Sequence, residues 1–206
     1  MPTVWGRPNS INVQKVMWTV GELGLEHRRI DVGGPFGGLD TEEYGRLNPN
    51  RKIPTLVDGD VVVWESNAVV RYLAARYGAG TLWPEDPGER SWADRWMDWQ
   101  ITEVQPHLHV VFWNLIRTPP ERRDADAVAK AAEALGRVWG IAEARLAAVP
   151  WLGGRRFTMG DIPLGCAYWR YRNLDIPRPD LPRLEDWFAR LSERPAYRTH
   201  VMLPLS

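Results

Sequence analysis

The stretch from residue 48 to residue 67, NPNRKIPTLVDGDVVVWESN, constrains the fold more than any other part of the chain. A polar loop, Asn48 to Lys52, runs into an Ile53-Pro54 step, and two short β-rich runs follow, Thr55 to Val57 and Val61 to Trp64. Asp58-Gly59-Asp60 between them predicts a hairpin, because glycine tolerates the positive φ that tight turns need. Pro54 has no N–H to give to a ladder, which places it at a strand start or in a special turn. A cis bond there turns the Ile53 N–H and C=O outward, free to pair with another extended chain. Glu65, Ser66 and Asn67 then precede the apolar-periodic run Ala68 to Tyr77, so Ser66 is the expected helix N-cap. The stretch predicts a peptide-binding edge beside a helix N-terminus that can hold an anion.

The segments before it alternate in period. Thr3 to Trp5 reads as a short strand ending at Gly6-Arg7-Pro8-Asn9, and Ser10 to Gly24 carries Val13, Val16, Met17, Val20 and Leu23 at helical spacing. Leu25 to Val32 is a second strand candidate, Gly33 to Gly38 (GGPFGG) a loop, and Thr41 to Leu47 a helical turn. The resulting order, β, α, β, helical turn, β, β, α, is a thioredoxin-like α/β layer with a mixed four-stranded sheet spanning residues 1–78. Residues 79–89, AGTLWPEDPGE, read as a linker, and 90–206 as an all-α domain. Arg90 to Arg117 is one expected long helix, bent or broken at Pro106, with Trp92, Trp96 and Trp99 on one stripe for packing or a dimer contact. Further helices are expected at Asp124 to Val149, Asp161 to Arg172, Leu181 to Glu193 and Pro195 to Met202. Thr158 and Asp161 form a capping box for the third of the long helices, with Phe157 and Ile162 as its hydrophobic staple.

Composition narrows the function classes. Basic and acidic residues balance at 26 each, which leaves no footprint for nucleic acid or an anionic membrane. The single cysteine, Cys166, excludes an intrachain disulfide and a Cys-x-x-Cys redox pair, and its apolar helix makes it an inert core thiol. His107 and His109, two apart, do not share a helix face, so no metal site is expected. No run reaches the length of a membrane span and the first residues have no long apolar core, so a cytoplasmic location is the expectation. Twelve tryptophans point to bulky aromatic packing or an aromatic-lined cleft.

The ordered string Lys52, Ile53, Pro54, hairpin, Glu65, Ser66 resembles the glutathione-binding half of the glutathione transferase family. The string Trp5-Gly6-Arg7-Pro8-Asn9-Ser10-Ile11-Asn12 is similar to a bacterial subgroup with a Ser-x-Asn motif, theta- or nu-like. The resemblance covers nearly the whole chain. It departs in the Gly-rich loop and in NPNRKIP, where the family more often has an NPxGKVP-like string.

What the resemblance implies can be stated residue by residue. Glutathione is the co-substrate, with no metal. Its thiol has a free pKa of about 8.5, so an enzyme that uses the thiolate must lower it, by a hydroxyl donor and a helix N-terminus. Ser10, in the first strand-to-helix turn, is the implied sulfur contact, with the Asn12 amide as the alternative and plain helix capping as the structural reading. Ser66 and the amides after it would take the γ-glutamyl carboxylate and Glu65 the α-amino group. Ile53 would contribute backbone, and Lys52, with Asn50 or Arg51, would meet the glycyl carboxylate. The electrophile pocket would lie between the domains, with Arg7, Phe112, Trp113, Arg117, Trp169 and Tyr171 as candidates. An Arg-rich pocket would favour acidic or halogenated acid substrates. The implied partners are a small-molecule electrophile and a second copy in a homodimer. Two alternatives remain open: glutathione-dependent peroxidase, dehalogenase or isomerase chemistry on the same site, and a non-catalytic binding protein on the same fold.

Overall fold

A computed structural model of the protein describes residues 1–206. The first part is a mixed sheet of four strands, β1 (Thr3–Trp5), β2 (Arg28–Ile30), β3 (Thr55–Asp58) and β4 (Val61–Trp64), in the order β2-β1-β3-β4. β1 runs parallel to β2 and antiparallel to β3, with Val4 opposite Leu56, and β3 pairs antiparallel with β4. Helices α1 (Ile11–Glu22), α2 (Glu42–Leu47) and α3 (Ser66–Tyr77) complete the thioredoxin-like layer, and the rest of the chain is helical. The long helical run begins at α4 (Pro87–Trp99), capped by Asp86, and is followed by α5 (Gln105–Phe112), α6 (Ala125–Leu146), α7 (Asp161–Asn173), α8 (Pro182–Ser192) and α9 (Pro195–His200).

Four local expectations shift. β2 is confined to Arg28–Ile30, since only these residues find partners on β1. The GGPFGG loop contains a 3₁₀ turn, Gly34–Phe36. Asp58 belongs to β3, because the hairpin closes over Gly59-Asp60 and the Asp58 carboxylate accepts from Tyr72 and Tyr77 of α3 at 2.9 and 2.7 Å. Pro106 neither breaks nor ends its helix: one π turn, Gln100–Val104, precedes it and joins α4 to α5, and a second, Trp113–Arg117, closes the run. A π turn moves the hydrogen-bond register by one residue, and the Gln105 N–H reaches the Gln100 carbonyl.

Two cores meet at α1. Val13, Val16, Met17 and Val20 pack with Val4, Leu56, Val69 and Leu73 under the sheet, while Ile11 and Trp18 of the same helix join the large helical core. Trp18 reaches that core because Gly165 of α7 has no side chain; a methyl there would lie 2.7 Å from the indole. Of the tryptophan stripe, Trp96 is buried and packs edge-on against Trp99, whereas Trp92 sits between the Arg95 and Arg145 guanidiniums, each 3.9 Å from its ring.

The start of α7 is held by a fully buried carboxylate. Asp161 Oδ2 accepts from the Thr158 N–H, the back-bond of a capping box, and Oδ1 accepts from the Leu152 N–H and the Trp187 indole at 2.9 and 3.0 Å. The Thr158 hydroxyl completes the cap on Gly160 rather than on Asp161. Burial pushes the Asp161 carboxyl up to about 6, against the pull of these three donors. Asp161→Ala leaves all three donors buried and unpaired, and should lower the unfolding free energy by about 3 kcal/mol or more in urea melts. Asp161→Asn keeps one acceptor oxygen and should cost less.

Candidate active site

Ser10 is the N-cap residue of α1 by backbone geometry (φ −85°, ψ 124°), and its carbonyl accepts from Gln14. Its hydroxyl, however, makes no cap bond and faces a cleft. The first-turn amides of α1 therefore leave a partial positive end beside an uncommitted hydroxyl. Asn12, in the first turn of α1, lines the same cleft, and its side-chain Oδ1 accepts from the Ser66 hydroxyl at 3.1 Å. The two motifs that lie 54 residues apart in sequence are thus joined by one hydrogen bond.

Beneath that bond lies a residue that the sequence reading passed over. The Lys15 ammonium is buried and has no carboxylate partner; it donates to Gln100 at 2.8 Å, Asn67 at 3.3 Å and Ser66 at 3.5 Å. Gln100, the first residue of the π turn, passes the chain on to Gln105, and the Asn67 amide donates to the Met97 carbonyl. Burial lowers the Lys15 ammonium to about 8, with Cys166 and Glu65 acting against that shift and Arg170 with it. Lys15 was legible only in hindsight: Ile11, Lys15 and Trp18 fall at i, i+4 and i+7, a second inward stripe on a helix already apolar on its other face.

The Ile53-Pro54 bond is cis, and no backbone or side-chain partner within the chain takes up the Ile53 N–H or C=O. The loop before it is shaped by buried polar groups. Asn48 and the Tyr44 hydroxyl both donate to the Lys52 carbonyl, at 2.8 and 2.6 Å, and both meet the Thr55 hydroxyl. The Lys52 and Asn50 side chains remain exposed. Arg51 turns away, since its guanidinium donates to the Leu39 and Thr41 carbonyls. Ser66 is the first helical residue of α3 rather than its cap. Glu65 holds the cap position at φ 68°, so the carboxylate and the α3 first turn project side by side.

The cleft encloses about 210 Å³. It brings Ser10 and Asn12 together with Arg7, Phe112, Trp113 and Arg117, and adds Gln105, Leu108, His109 and Arg170, none of which the sequence reading placed in the pocket. Trp169 and Tyr171 do not line it. Trp169 donates its indole N–H to the Leu203 carbonyl and stacks on Phe188, and Tyr171 is buried against Trp139 and Tyr168. The face of α7 decides this: Arg170 lines the cleft, whereas its neighbours Trp169 and Tyr171 pack away from it. Cys166 lies buried in α7, its thiol pushed up to about 12 by desolvation.

The chain matches two family models, the glutathione S-transferase N-terminal domain over residues 9–76 and the glutathione S-transferase C-terminal domain over residues 104–195. It is 39% identical to glutathione S-transferase GstB of Escherichia coli K12, with all of both chains covered. It is 31% identical to glutathione S-transferase 3 of Zea mays, over 98% of this chain and 94% of that one. Among solved structures, the theta class glutathione S-transferase of Xanthomonas axonopodis pv. citri with glutathione bound superposes at a TM-score of 0.96. That protein shares 48% identity, with 100% of this chain and 99% of that one covered. The chain belongs to the glutathione S-transferase family of enzymes.

Lys15 gives a pH test of the buried network. Its folded-state pKa lies below its unfolded value, so the unfolded chain holds more protons between the two. Stability contributed at this position therefore rises with pH, from about 8 to the ordinary lysine range. Urea melts across that window should favour wild type over Lys15→Met progressively, by as much as about 3 kcal/mol at the top. A pH-independent difference would contradict the buried, depressed ammonium.

Proposed function

We propose that the protein binds glutathione through its α/β part and adds the thiolate to a small apolar or halogenated electrophile held against its helical part. The observation that carries this reading is the Ser10 hydroxyl, left free at the N-terminus of α1 on the wall of the cleft. A donor there, with the partial positive end of α1, favours the charged sulfur over the neutral thiol. The proton leaves to solvent, the sulfur attacks the electrophilic carbon, and the leaving group departs with its electron pair.

The tripeptide would lie extended on the unpaired Ile53 backbone, as an added strand. Its γ-glutamyl carboxylate would meet the Ser66 hydroxyl and the first amides of α3, and Glu65 would meet the α-amino group. Lys52 and Asn50 are free to reach the glycyl carboxylate, whereas Arg51 is committed to the Leu39 and Thr41 carbonyls. Asn12 is tied to Ser66, which supports Ser10 as the sulfur donor and Asn12 as the residue that orients the γ-glutamyl end. The domain division follows the same logic, with 1–78 holding glutathione, 79–89 linking, and 90–206 carrying the electrophile walls. We also infer a cytoplasmic homodimer in which each α/β part faces its partner's helices. The exposed Val61, Val62 and Trp64 on β4, and Ile101 on the π turn, supply apolar surface for it.

Calorimetric titration of glutathione into wild type and Ser10→Ala, with ultraviolet detection of bound thiolate, tests the assignment. Both should bind, the thiolate signal should vanish only in the variant, and its turnover should fall about a hundredfold, as for a lost anion-stabilising donor. Equal thiolate signals would move the role to Asn12 or to the helix end, and absence of binding to wild type would remove the transferase reading.

A further inference from the structure

The cleft that Ser10 lines carries three guanidiniums and no aspartate or glutamate. Arg170 is buried; its Nη2 donates to the Asn9 carbonyl at 2.9 Å, and its Nε is buried without a partner. Arg7 donates one Nη to the Asn9 side chain, and its Nε is likewise buried and unpaired. Arg117 is exposed, and one Nη donates to the Ser206 carbonyl. None of the three forms an ion pair with an aspartate or glutamate, and no Asp or Glu lines the cleft. Their ring neighbour is shared: the Arg170 guanidinium lies 4.1 Å and the Arg117 guanidinium 5.9 Å from the centre of Phe112. The Gly-rich loop is also fitted to this wall, because a side chain at Gly34 would lie 3.0 Å from Arg7 Nε.

Like charges gathered without an acid oppose one another, and guanidinium cannot escape by losing its proton. Burial, with repulsion from Arg117 and Arg7, lowers Arg170 only to about 10, and burial with repulsion from Arg117 lowers Arg7. An arrangement of this kind is costly when empty and favourable when an anion enters, since guanidinium N–H groups fit carboxylate oxygens in pairs.

We propose that Arg7, Arg117 and Arg170 form an anion subsite that selects electrophiles carrying a carboxylate, seating that group on the cleft wall so that the reacting carbon faces the sulfur at Ser10. The proposal rests on the thiolate-transfer reading above and names its substrate class. Phe112 and Trp113 supply an apolar floor beside the subsite, which suits a flat, unsaturated or aromatic acid. For an aryl chloride the step balances without any further reagent. The sulfur forms a bond to the ring carbon, and chloride leaves with the electron pair of the C–Cl bond.

The test is the ratio of kcat/KM for a chlorodinitrobenzoate and the matching chlorodinitrobenzamide, which differ in charge and little in shape, at saturating glutathione. Wild type should prefer the carboxylate by about tenfold or more, the scale of one charge-assisted hydrogen bond, and added salt should shrink that ratio. Arg117→Gln, at an exposed position where folding is not at stake, should lose most of the preference, and Arg7→Gln should do the same. A wild-type ratio of one or below, with both compounds conjugated, overturns the subsite and leaves the transfer reading intact. A ratio unchanged in both variants also overturns it. Glutathione binding with neither compound conjugated would instead overturn the transfer reading, and the subsite with it.

Discussion

A buried ammonium without a carboxylate holds the two halves of this protein in register. Lys15 emerges from α1, the helix both cores share, and its three acceptors come from the first turn of α3 and from the π turn after α4. Desolvating a charge is expensive unless hydrogen bonds replace its water. Each acceptor is therefore pinned by the demands of one nitrogen. Ser66, in turn, reaches Asn12, and Gln100 reaches Gln105 on the cleft wall, so the expected glutathione and electrophile ends share a single polar chain. That chain also gives the π turn a role, since its first residue, Gln100, is fully buried and bonded to both Lys15 and Gln105.

Much of the fold was legible because its signals are local. The hairpin, the α1 apolar stripe, the Asp161 cap and the long helical run are each written in a few adjacent residues. The shift at Ser66 is a register error of one residue, where tertiary contacts decided between close alternatives, and the α pattern expected to bend or break at Pro106 is interrupted by the π turn just before it. A hydroxyl at the first helical position serves Asn12 across the cleft instead of its own backbone, which no local pattern encodes.

The site was legible in part for the same reason. Ser10, Asn12, Glu65 and Ser66 sit in motifs, and the structure brings Asn12 and Ser66 into direct contact. Lys15, Gln105 and Arg170 do not sit in motifs. A lysine or arginine on a helix reads as a solvated face, and the reading fails only when another part of the chain covers it. Trp169 was misplaced by the converse error: an aromatic residue near Arg170 on α7 faces Phe188 and Leu203 instead of the cleft.

Lys15 and the cleft arginines differ in what surrounds them, and that difference separates structure from chemistry. Lys15 meets three oxygen acceptors, and its charge is spent inside the fold. The arginines of the cleft meet backbone carbonyls and an asparagine oxygen but no aspartate or glutamate, and the Nε–H groups of Arg7 and Arg170 are buried without a partner. A satisfied cation fixes a framework and tolerates no ligand. A group of cations without acidic partners, set beside a free hydroxyl and a helix N-terminus, gives the cleft a positive potential where the proposed thiolate would lie. On the proposed reading, the potential that would draw an acidic electrophile into the cleft would also favour the thiolate it meets, and the two effects would be coupled through one wall of the site.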